Sequence, residues 1–138
     1  MGKKVVLDTS VFISALGWKG ASHKIFNDCI FGKYELILSL EIFDELKRVL
    51  NYPKFKFSQA EIEDFLDQIL EVGTLVEPAV AIEMIENDPS DNKFLECAIT
   101  VDADYIISRD PHLTKGKEFN GIMIMSPENF REITCGHG

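Results

Sequence analysis

A short apolar run that ends abruptly in polar residues is the feature that most constrains the fold of this chain. The run Val5–Leu7 is followed at once by Asp8 and two hydroxyl residues. Such a run is typical of a strand buried on both faces in the middle of a parallel sheet. A second run of the same design, Tyr105–Ile107, is followed by Ser108 and, two residues on, by Asp110. Open α/β sheets bind their ligands at the carboxyl ends of such strands, so we predict a cleft where these acids meet.

Short apolar runs alternate with amphipathic helical patterns along the whole chain. We predict strands at 5–7, 35–39, 74–76, 105–108 and 122–125, and helices at 11–16, 22–31, 40–50, 62–72, 92–101 and from 126 onward. Alternation of this kind predicts an α/β fold of three layers, α/β/α, with a central parallel sheet and helices on both faces. We expect a single domain over residues 1–134 and a disordered tail over residues 135–138.

Composition narrows the class of protein. No apolar run approaches the roughly 20 residues that a membrane span needs, and the first residues do not form a secretory signal. The three cysteines are too far apart for a C-x-x-C metal or redox motif, so we expect buried thiols in a cytoplasmic protein. The net charge of −9 argues against a free-standing nucleic-acid binder. It is compatible with a metal-dependent enzyme and with the binding of a basic partner segment.

Four acidic residues stand out by their positions: Asp8, Glu45, Asp91 and Asp110. Three of them have a simpler explanation, because an aspartate at the start of a helix also serves as a cap or interacts with the helix dipole. Glu45 lies at the edge of the apolar stripe of the predicted helix 40–50, one turn from buried positions. Asp44 falls on the opposite face, where it can pair with neighbouring Lys47 or Arg48.

The four acids are more informative together than singly. Sheet geometry can bring all of them to one end of the fold, where the carboxylates would repel one another unless a cation compensates. Oxygen ligands without a histidine or cysteine cluster favour a hard ion, Mg²⁺ or Mn²⁺. We therefore predict that these carboxylates hold a divalent metal.

Four segments of the chain resemble the PIN-domain family, in the right order and spacing: the opening run around Asp8, the helix around Glu45, and the runs 88–98 and 103–110. The chain is most similar to the small prokaryotic single-domain members that are toxins of toxin–antitoxin pairs (VapC-like). The resemblance implies a Mg²⁺- or Mn²⁺-dependent endoribonuclease with Asp8, Glu45, Asp91 and Asp110 as its catalytic and metal-binding residues. Ser10, Ser108 and Asn92 occupy supporting positions of the family pattern, although threonine is commoner than serine at the position of Ser108.

The resemblance also implies partners: an RNA substrate, an antitoxin protein with a basic segment, and a second copy in a homodimer. Phosphate binding must come from local cations, since the surface as a whole is acidic. Lys54 and Lys56 alternate with aromatic residues and are candidates for holding single-stranded RNA by charge and stacking. Lys93 and Arg109 lie nearer the predicted cleft. The connector around Lys54 is equally well explained as a solvated loop with its aromatic rings in the core.

Two other classes of function compete with a nuclease. A phosphotransfer domain that forms a phosphoaspartate needs further acids beside its nucleophile, whereas Asp8 is followed by Thr9 and Ser10. A non-catalytic module would use the acidic cleft to dock a basic partner segment and would cleave nothing. Metal-dependent cleavage of RNA that disappears in Asp8→Asn separates the nuclease from the binding module.

Overall fold

Strands and helices alternate along the chain in the predicted order. A computed structural model describes residues 2–79, 92–114 and 118–135. Within these ranges the strands are β1 (Lys4–Leu7), β2 (Glu35–Leu38), β3 (Thr74–Leu75), β4 (Tyr105–Ile107), β5 (Glu118–Phe119) and β6 (Ile122–Met125). The helices are α1 (Thr9–Gly17), α2 (Ala21–Ile30), α3 (Leu40–Leu50), α4 (Gln59–Val72), α5 (Asn92–Thr100), α6 (Pro111–Thr114) and α7 (Pro127–Cys135). A single 3-10 turn, Pro53–Phe55, follows α3.

The described strands form one sheet in the order β3-β2-β1-β4-β6-β5. Every neighbouring pair is parallel except β5 with β6. β1 lies in the middle, and its residues 5–7 are completely buried, as the apolar run predicts. Leu7 pairs with Ile107. The next residues along the two strands, Asp8 and Ser108, are therefore neighbours at the carboxyl edge of the sheet.

The antiparallel strand β5 is an addition to the predicted fold. β5 and β6 form a hairpin through Asn120 and Gly121, both of which have positive φ, at 51° and 84°. Asn-Gly is the preferred pair for a two-residue hairpin turn, because both residues tolerate this left-handed backbone. The dipeptide was therefore a usable signal for the hairpin.

Helices flank the sheet on both faces, which confirms the three-layer α/β/α fold. From β1 the chain moves outward through α1–α4 to β2 and β3, and it then returns across β1 to β4 through α5. Right-handed crossovers change face when the direction of travel reverses, so α5 lies on the other face of the sheet from α1–α4, and it meets α3 where Lys93 pairs with Glu45. Consistent with this, α5 contacts β1, β2 and β4, whereas α2 contacts α1, α4 and α7.

An aromatic cluster fixes the helix that begins at Asp8. The ring centroids of Phe12 on α1 and Phe26 on α2 are 6.3 Å apart at 73°, and Phe65 on α4 lies 6.4 Å from Phe12. Edge-to-face contacts of this kind are favourable beyond the burial of the rings alone. The start of α1, with the polar residues that follow β1, is therefore held rigidly against α2 and α4.

The end of the chain differs slightly from prediction. The last helix, α7, extends to Cys135, where we expected the tail to begin, and residues 136–138 lie outside the described residues. No helix in the described ranges is long and apolar enough to cross a membrane. Cys29 and Cys97 are buried free thiols, as predicted. Burial raises the pKa of both to about 12, so these thiols are not nucleophiles at neutral pH.

Candidate active site at the carboxyl edge of the sheet

Among the described acids of the predicted site, Asp8 is the most enclosed. Its side chain follows β1 directly and is only 3% exposed. One carboxylate oxygen, Oδ1, accepts hydrogen bonds from the Ser10 hydroxyl at 2.7 Å and from the Val11 backbone N–H at 3.0 Å. The other, Oδ2, accepts a hydrogen bond from the Ser108 hydroxyl. Asp8 thus caps α1 and, with its second oxygen, also reaches across to the end of β4.

Opposing effects act on the charge of Asp8. Burial raises the pKa of its carboxyl group above the usual value, and the hydrogen bonds from Ser108, Ser10 and Val11 lower it in part. The negative charge of Asp110 raises the pKa further. The ionised Asp8 carboxylate is therefore stabilised by hydrogen-bond donors but has almost no contact with water. A bound cation stabilises a carboxylate most in such surroundings.

Ser108 joins the two aspartates that follow β1 and β4. Its side chain is fully buried; its hydroxyl donates to Asp8 and accepts from the backbone N–H of Asp110 at 2.9 Å. Asp110 opens α6, where its Oδ1 accepts from the His112 backbone N–H at 2.9 Å. The Asp110 side chain remains 28% exposed. Asp110 therefore combines the capping role with a position beside Asp8, and the supporting place predicted for Ser108 corresponds to this bridge.

Glu45 reaches the same edge from α3. Its Oε1 lies 2.8 Å from the Lys93 ammonium, and its Oε2 accepts a hydrogen bond from the Thr9 hydroxyl, next in the chain to Asp8. The Glu45 side chain is 20% exposed. The helical-wheel prediction that Glu45 borders the buried face of α3 matches this placement. Thr9, the residue that follows Asp8, is the link between Glu45 and the end of β1.

Lys93 has a different environment from the one predicted for an RNA contact. Its side chain is only 7% exposed, and its ammonium is paired with Glu45. The same ammonium lies 4.8 Å from the centroid of the Phe94 ring. A buried, paired lysine is placed to orient its partner Glu45, and whether Lys93 also contacts RNA stays a prediction.

Asn92 is the first residue of α5, and Asp91 precedes it in the sequence. Asp91 lies outside the described residues, so its predicted place in the site stays a prediction. Asn92, the first residue of α5, has a buried side-chain oxygen with no hydrogen-bond partner among the described residues. A buried acceptor without a donor calls for a water or a cation as its partner.

The described acids are linked, yet they do not by themselves make a complete metal cluster. Asp8 and Asp110 share Ser108, and Glu45 is attached through Thr9. Within the described ranges, no three His, Cys, Asp or Glu side chains gather closely enough to hold an ion. The donors present include oxygens of the kind that a hard cation prefers, the carboxylates and the unpartnered oxygen of Asn92; the Nδ1 of His112 also lies 3.1 Å from Oδ1 of Asp110. These residues fit Mg²⁺ or Mn²⁺ as part of a ligand set.

An open groove of about 820 Å³ lies beside this network. Site residues Thr9, Ser10 and Glu45 line it, together with Tyr52 and Phe55, two of the aromatic residues that alternate with the predicted RNA-contact lysines. Trp18, Arg48 and Glu128, which sequence reasoning did not assign to the site, line it as well. Arg109, a predicted RNA contact, also lines it, and its guanidinium is 3.8 Å from Glu128. A smaller hollow of about 540 Å³ between β6 and α7 contains none of the predicted site residues.

The two lysines predicted to hold RNA lie outside the groove lining. Lys54 and Lys56 are exposed, and the Lys54 ammonium lies 5.2 Å from the centroid of the Phe55 ring. Phe55 stacks on Phe57, with centroids 5.9 Å apart and an interplanar angle of 17°. Both rings are partly buried against the core, so the connector combines the two explanations weighed from the sequence. Whether these lysines contact RNA stays a prediction.

A mostly parallel sheet with a buried aspartate at its carboxyl edge, bridged to a second aspartate beside an open groove, defines an α/β protein with an acidic site. The family profile of the PIN domain matches residues 4–112. The chain therefore belongs to the PIN domain family, which confirms the resemblance found in its motifs. PIN domains are generally nucleases, and they typically depend on divalent metal ions.

Solved structures share this fold at low sequence identity. PAE2754 from Pyrobaculum aerophilum has a TM-score of 0.61 and 13% identity, over 99% of this chain and 99% of its own. VapBC2 from Rickettsia felis, bound to a DNA fragment from their promoter, has a TM-score of 0.58 and 11% identity, over 88% of this chain and 96% of that one. Likeness at these identities concerns the fold alone. No curated protein matches the chain.

Proposed function

We propose that this protein is a metal-dependent endoribonuclease that hydrolyses RNA phosphodiester bonds at the carboxyl edge of its sheet. The observation that carries the proposal is the Asp8 carboxylate, 3% exposed and bridged by Ser108 to Asp110 at the edge of an open groove. A buried carboxylate beside the negative charge of Asp110 is unfavourable without a counter-charge, and the chain belongs to a family of nucleases.

Asp8 and Asp110, with Glu45 and the predicted ligand Asp91, would hold Mg²⁺ or Mn²⁺. Such an ion, when bound, supplies a water of lowered pKa and stabilises charge on the phosphate and the leaving oxygen. The chain itself supplies orientation. Ser10 and the Val11 N–H fix one oxygen of Asp8, and Ser108 fixes the other.

Glu45 is oriented in the same way from the other side of the site. Lys93 holds one of its oxygens and Thr9 holds the other, so its carboxylate has little freedom to rotate. Positioning partners of this kind commonly change metal affinity or activity by about 10–100-fold when they are removed.

A phosphoaspartate mechanism has less support. A nucleophilic aspartate needs an accessible oxygen in line with the attacked phosphorus, whereas both oxygens of Asp8 accept hydrogen bonds and the side chain is almost fully enclosed. Trapping with beryllofluoride that labels Asp8 would revive this alternative.

Cleavage of mixed RNAs, with and without Mn²⁺, tests the proposal. We expect cleavage by the wild type only when the metal is present, and a loss of at least about 100-fold in Asp8→Asn. Asp44→Asn on the exposed face of α3 is the matched control, because it removes the same charge away from the site. Equal cleavage by Asp8→Asn, or undiminished cleavage in a chelator, would contradict the proposal.

We further propose that the protein is the toxin of a toxin–antitoxin pair and that its antitoxin carries a basic segment. The fold shared with VapBC2 supports an antitoxin partner, and the net charge of −9 supports a basic segment on that partner. Expression of the wild type is expected to arrest growth, whereas Asp8→Asn at equal abundance does not. If cells that express the wild type grow as fast as cells that express Asp8→Asn, without arrest, the toxin assignment is wrong. The nuclease proposal would not be affected.

The homodimer and the cytoplasmic location remain predictions. Analytical ultracentrifugation at micromolar concentration decides the first, since a monomer sediments with the mass of one chain, 15.6 kDa. Cell fractionation decides the second.

A further inference from the structure

We propose that Trp18, Arg48 and Tyr52 form a subsite for one unpaired nucleotide, with its base against the Trp18 indole and its phosphate on Arg48. All three side chains line the groove that Glu45 and Thr9 also line. The inference deepens the proposed function, on which it rests for the chemical class of the ligand, RNA. It concerns binding alone, so it can fail or succeed independently of cleavage.

Arg48 extends the candidate active site along α3. It lies three residues after Glu45, and side chains at this spacing are neighbours on the same face of a helix, about 4.5 Å apart along the axis. Both line the groove. A strand whose scissile phosphate lies at the acidic network would therefore bring an adjacent nucleotide to Arg48.

The guanidinium of Arg48 is held in place without being neutralised. Its Nη1 donates to the Tyr52 hydroxyl at 2.6 Å. Within the part of the chain that the structure describes, no carboxylate lies within 4.0 Å of this group. An arginine has five N–H donors in a fixed plane, so four remain for a phosphate after the contact with Tyr52. A pre-oriented arginine of this kind suits bidentate binding of phosphate.

Trp18 presents a large flat surface in the same groove. It follows α1, its backbone N–H is anchored to the Ser14 carbonyl at 3.0 Å, and its side chain is 60% exposed. Tyr52, 38% exposed, lines the same groove. Aromatic side chains beside a cationic group are the usual platform for single-stranded nucleic acid, because every base has a face that can stack. Base-paired RNA does not offer that face, so the subsite requires an unpaired nucleotide.

Charge favours RNA over a basic peptide as the occupant of this subsite. Of the two acids that line the groove, Glu45 is paired with Lys93 and Glu128 is near Arg109. The cation of Arg48 is not offset in this way among the described residues. A basic segment would place like charge against it, whereas a phosphate would be attracted.

Trp18 is the only tryptophan of the chain, so its fluorescence reports on the subsite directly. The experiment titrates the wild type, in chelator so that no RNA is cut, with a single-stranded hexaribonucleotide of mixed sequence. The two comparison probes are an abasic hexamer with the same phosphates and a duplex of the same sequence. We expect the single strand to quench Trp18 fluorescence by about half or more, and the abasic and duplex probes to quench it little.

Variants separate the contributions of Trp18 and Arg48 to RNA binding. Binding is measured as the fluorescence anisotropy of a labelled hexamer. Trp18→Ala is expected to weaken binding about ten-fold and Trp18→Phe much less, because phenylalanine keeps a stacking face. Arg48→Ala is expected to weaken binding about ten-fold and to reduce the slope of log affinity against log salt by about 0.7, the contribution of one phosphate contact. Lys47→Ala removes the same charge from the neighbouring exposed position of α3 and serves as the matched control.

Three results would overturn the subsite: binding of the single strand without quenching, equal quenching by the abasic probe, or equal weakening by Lys47→Ala and Arg48→Ala. Quenching by an arginine-rich peptide but not by RNA would likewise overturn it and assign the groove to a protein partner. If RNA quenches Trp18 fluorescence but the protein cleaves no RNA in the presence of metal, the subsite proposal stands and only the nuclease proposal is wrong.

Discussion

Asp8 keeps a carboxylate where water is almost absent, and that placement has a measurable effect on stability. The ionised group is destabilised by burial and by the charge of Asp110. We expect Asp8→Asn to raise the melting temperature in metal-free buffer by about 3 °C or more, since about 1 kcal/mol corresponds to roughly 3–5 °C in a domain of this size. Asparagine caps a helix about as well as aspartate, so the cap on α1 is retained. Differential scanning calorimetry measures the shift.

Asp44→Asn is the control for that experiment, because Asp44 is exposed on α3. Its melting temperature should stay within the error of the wild type. A melting temperature of Asp8→Asn equal to or below that of the wild type would mean that Asp8 is only a cap, and that the hydrogen bonds to it outweigh its burial.

The raised pKa of Asp8 also predicts how stability depends on pH. The native state binds the proton more tightly than the unfolded state, so the free energy of unfolding of the wild type falls as pH rises from the ordinary value of 3.8 to the raised native pKa. Asp8→Asn lacks this titration. The stability advantage of the variant should therefore be small near pH 4 and larger at pH 7, as measured by urea unfolding. A constant difference across this range would contradict the shift.

The sequence located Asp8, Ser108 and Asp110 because their places follow from strand ends, and parallel strands end at one edge. It did not locate the partner of Lys93. That lysine and Glu45 come from different helices, and their pairing depends on how α3 and α5 approach each other at the edge of the sheet. Arg48 was assigned to a surface pair with Asp44 for a related reason: neighbours on a helix are visible in sequence, whereas the groove that Arg48 lines is not.

Secondary-structure elements were predictable where periodicity was strong. The apolar stripe of α3 predicted its bounds, Leu40–Leu50. The predicted helix 62–72 corresponds to α4, which begins three residues earlier behind a capping box formed by Ser58 and Glu61. The two-residue strand β5 was missed because Glu118-Phe119 is not part of an apolar run, whereas the equally short β3 lies in the apolar run that predicted it. The antiparallel hairpin depends on a turn, Asn120-Gly121, rather than on hydrophobic alternation.

The contact between α3 and α5 yields a prediction at the level of elements. Lys93 is 7% exposed and Glu45 20%, so removing either partner leaves a poorly solvated charge. Lys93→Met and Glu45→Gln should each destabilise the protein in metal-free buffer. The double variant should be more stable than the sum of the two losses predicts, with a coupling of about 1 kcal/mol or more. Urea unfolding of the four proteins gives this energy.

Additive losses would contradict the prediction and would mean that the pair is solvated in solution. Lys47→Met combined with Asp44→Asn is the comparison cycle. These residues are on the exposed face of α3, where ion pairs contribute little, so their coupling should be near zero.

The whole molecule carries a net charge of −9, and its diffuse attraction of cations must be distinguished from binding at the site itself. An acidic surface attracts divalent cations diffusely, and such screening stabilises any acidic protein to some degree. A site bounded by Asp8 and Asp110 predicts something different: saturable stabilisation that follows the affinity of one site and depends on named residues. Diffuse screening and a localised site therefore predict different results for variants that change the total charge by the same amount.

We therefore expect Mn²⁺, at about 100 times its dissociation constant, to stabilise the wild type by about 2.7 kcal/mol. That corresponds to an increase of roughly 10 °C in the melting temperature. Asp44→Asn, with the same total charge as the two site variants, should keep the full increase, whereas Asp8→Asn and Asp110→Asn should each lose more than half. NaCl at matched ionic strength should reproduce only the diffuse part, since simple salt screens charge without occupying the site. If Mn²⁺ raises the melting temperature of all three variants equally, the stabilisation comes from the net charge, because only a localised site would make Asp8→Asn differ from Asp44→Asn.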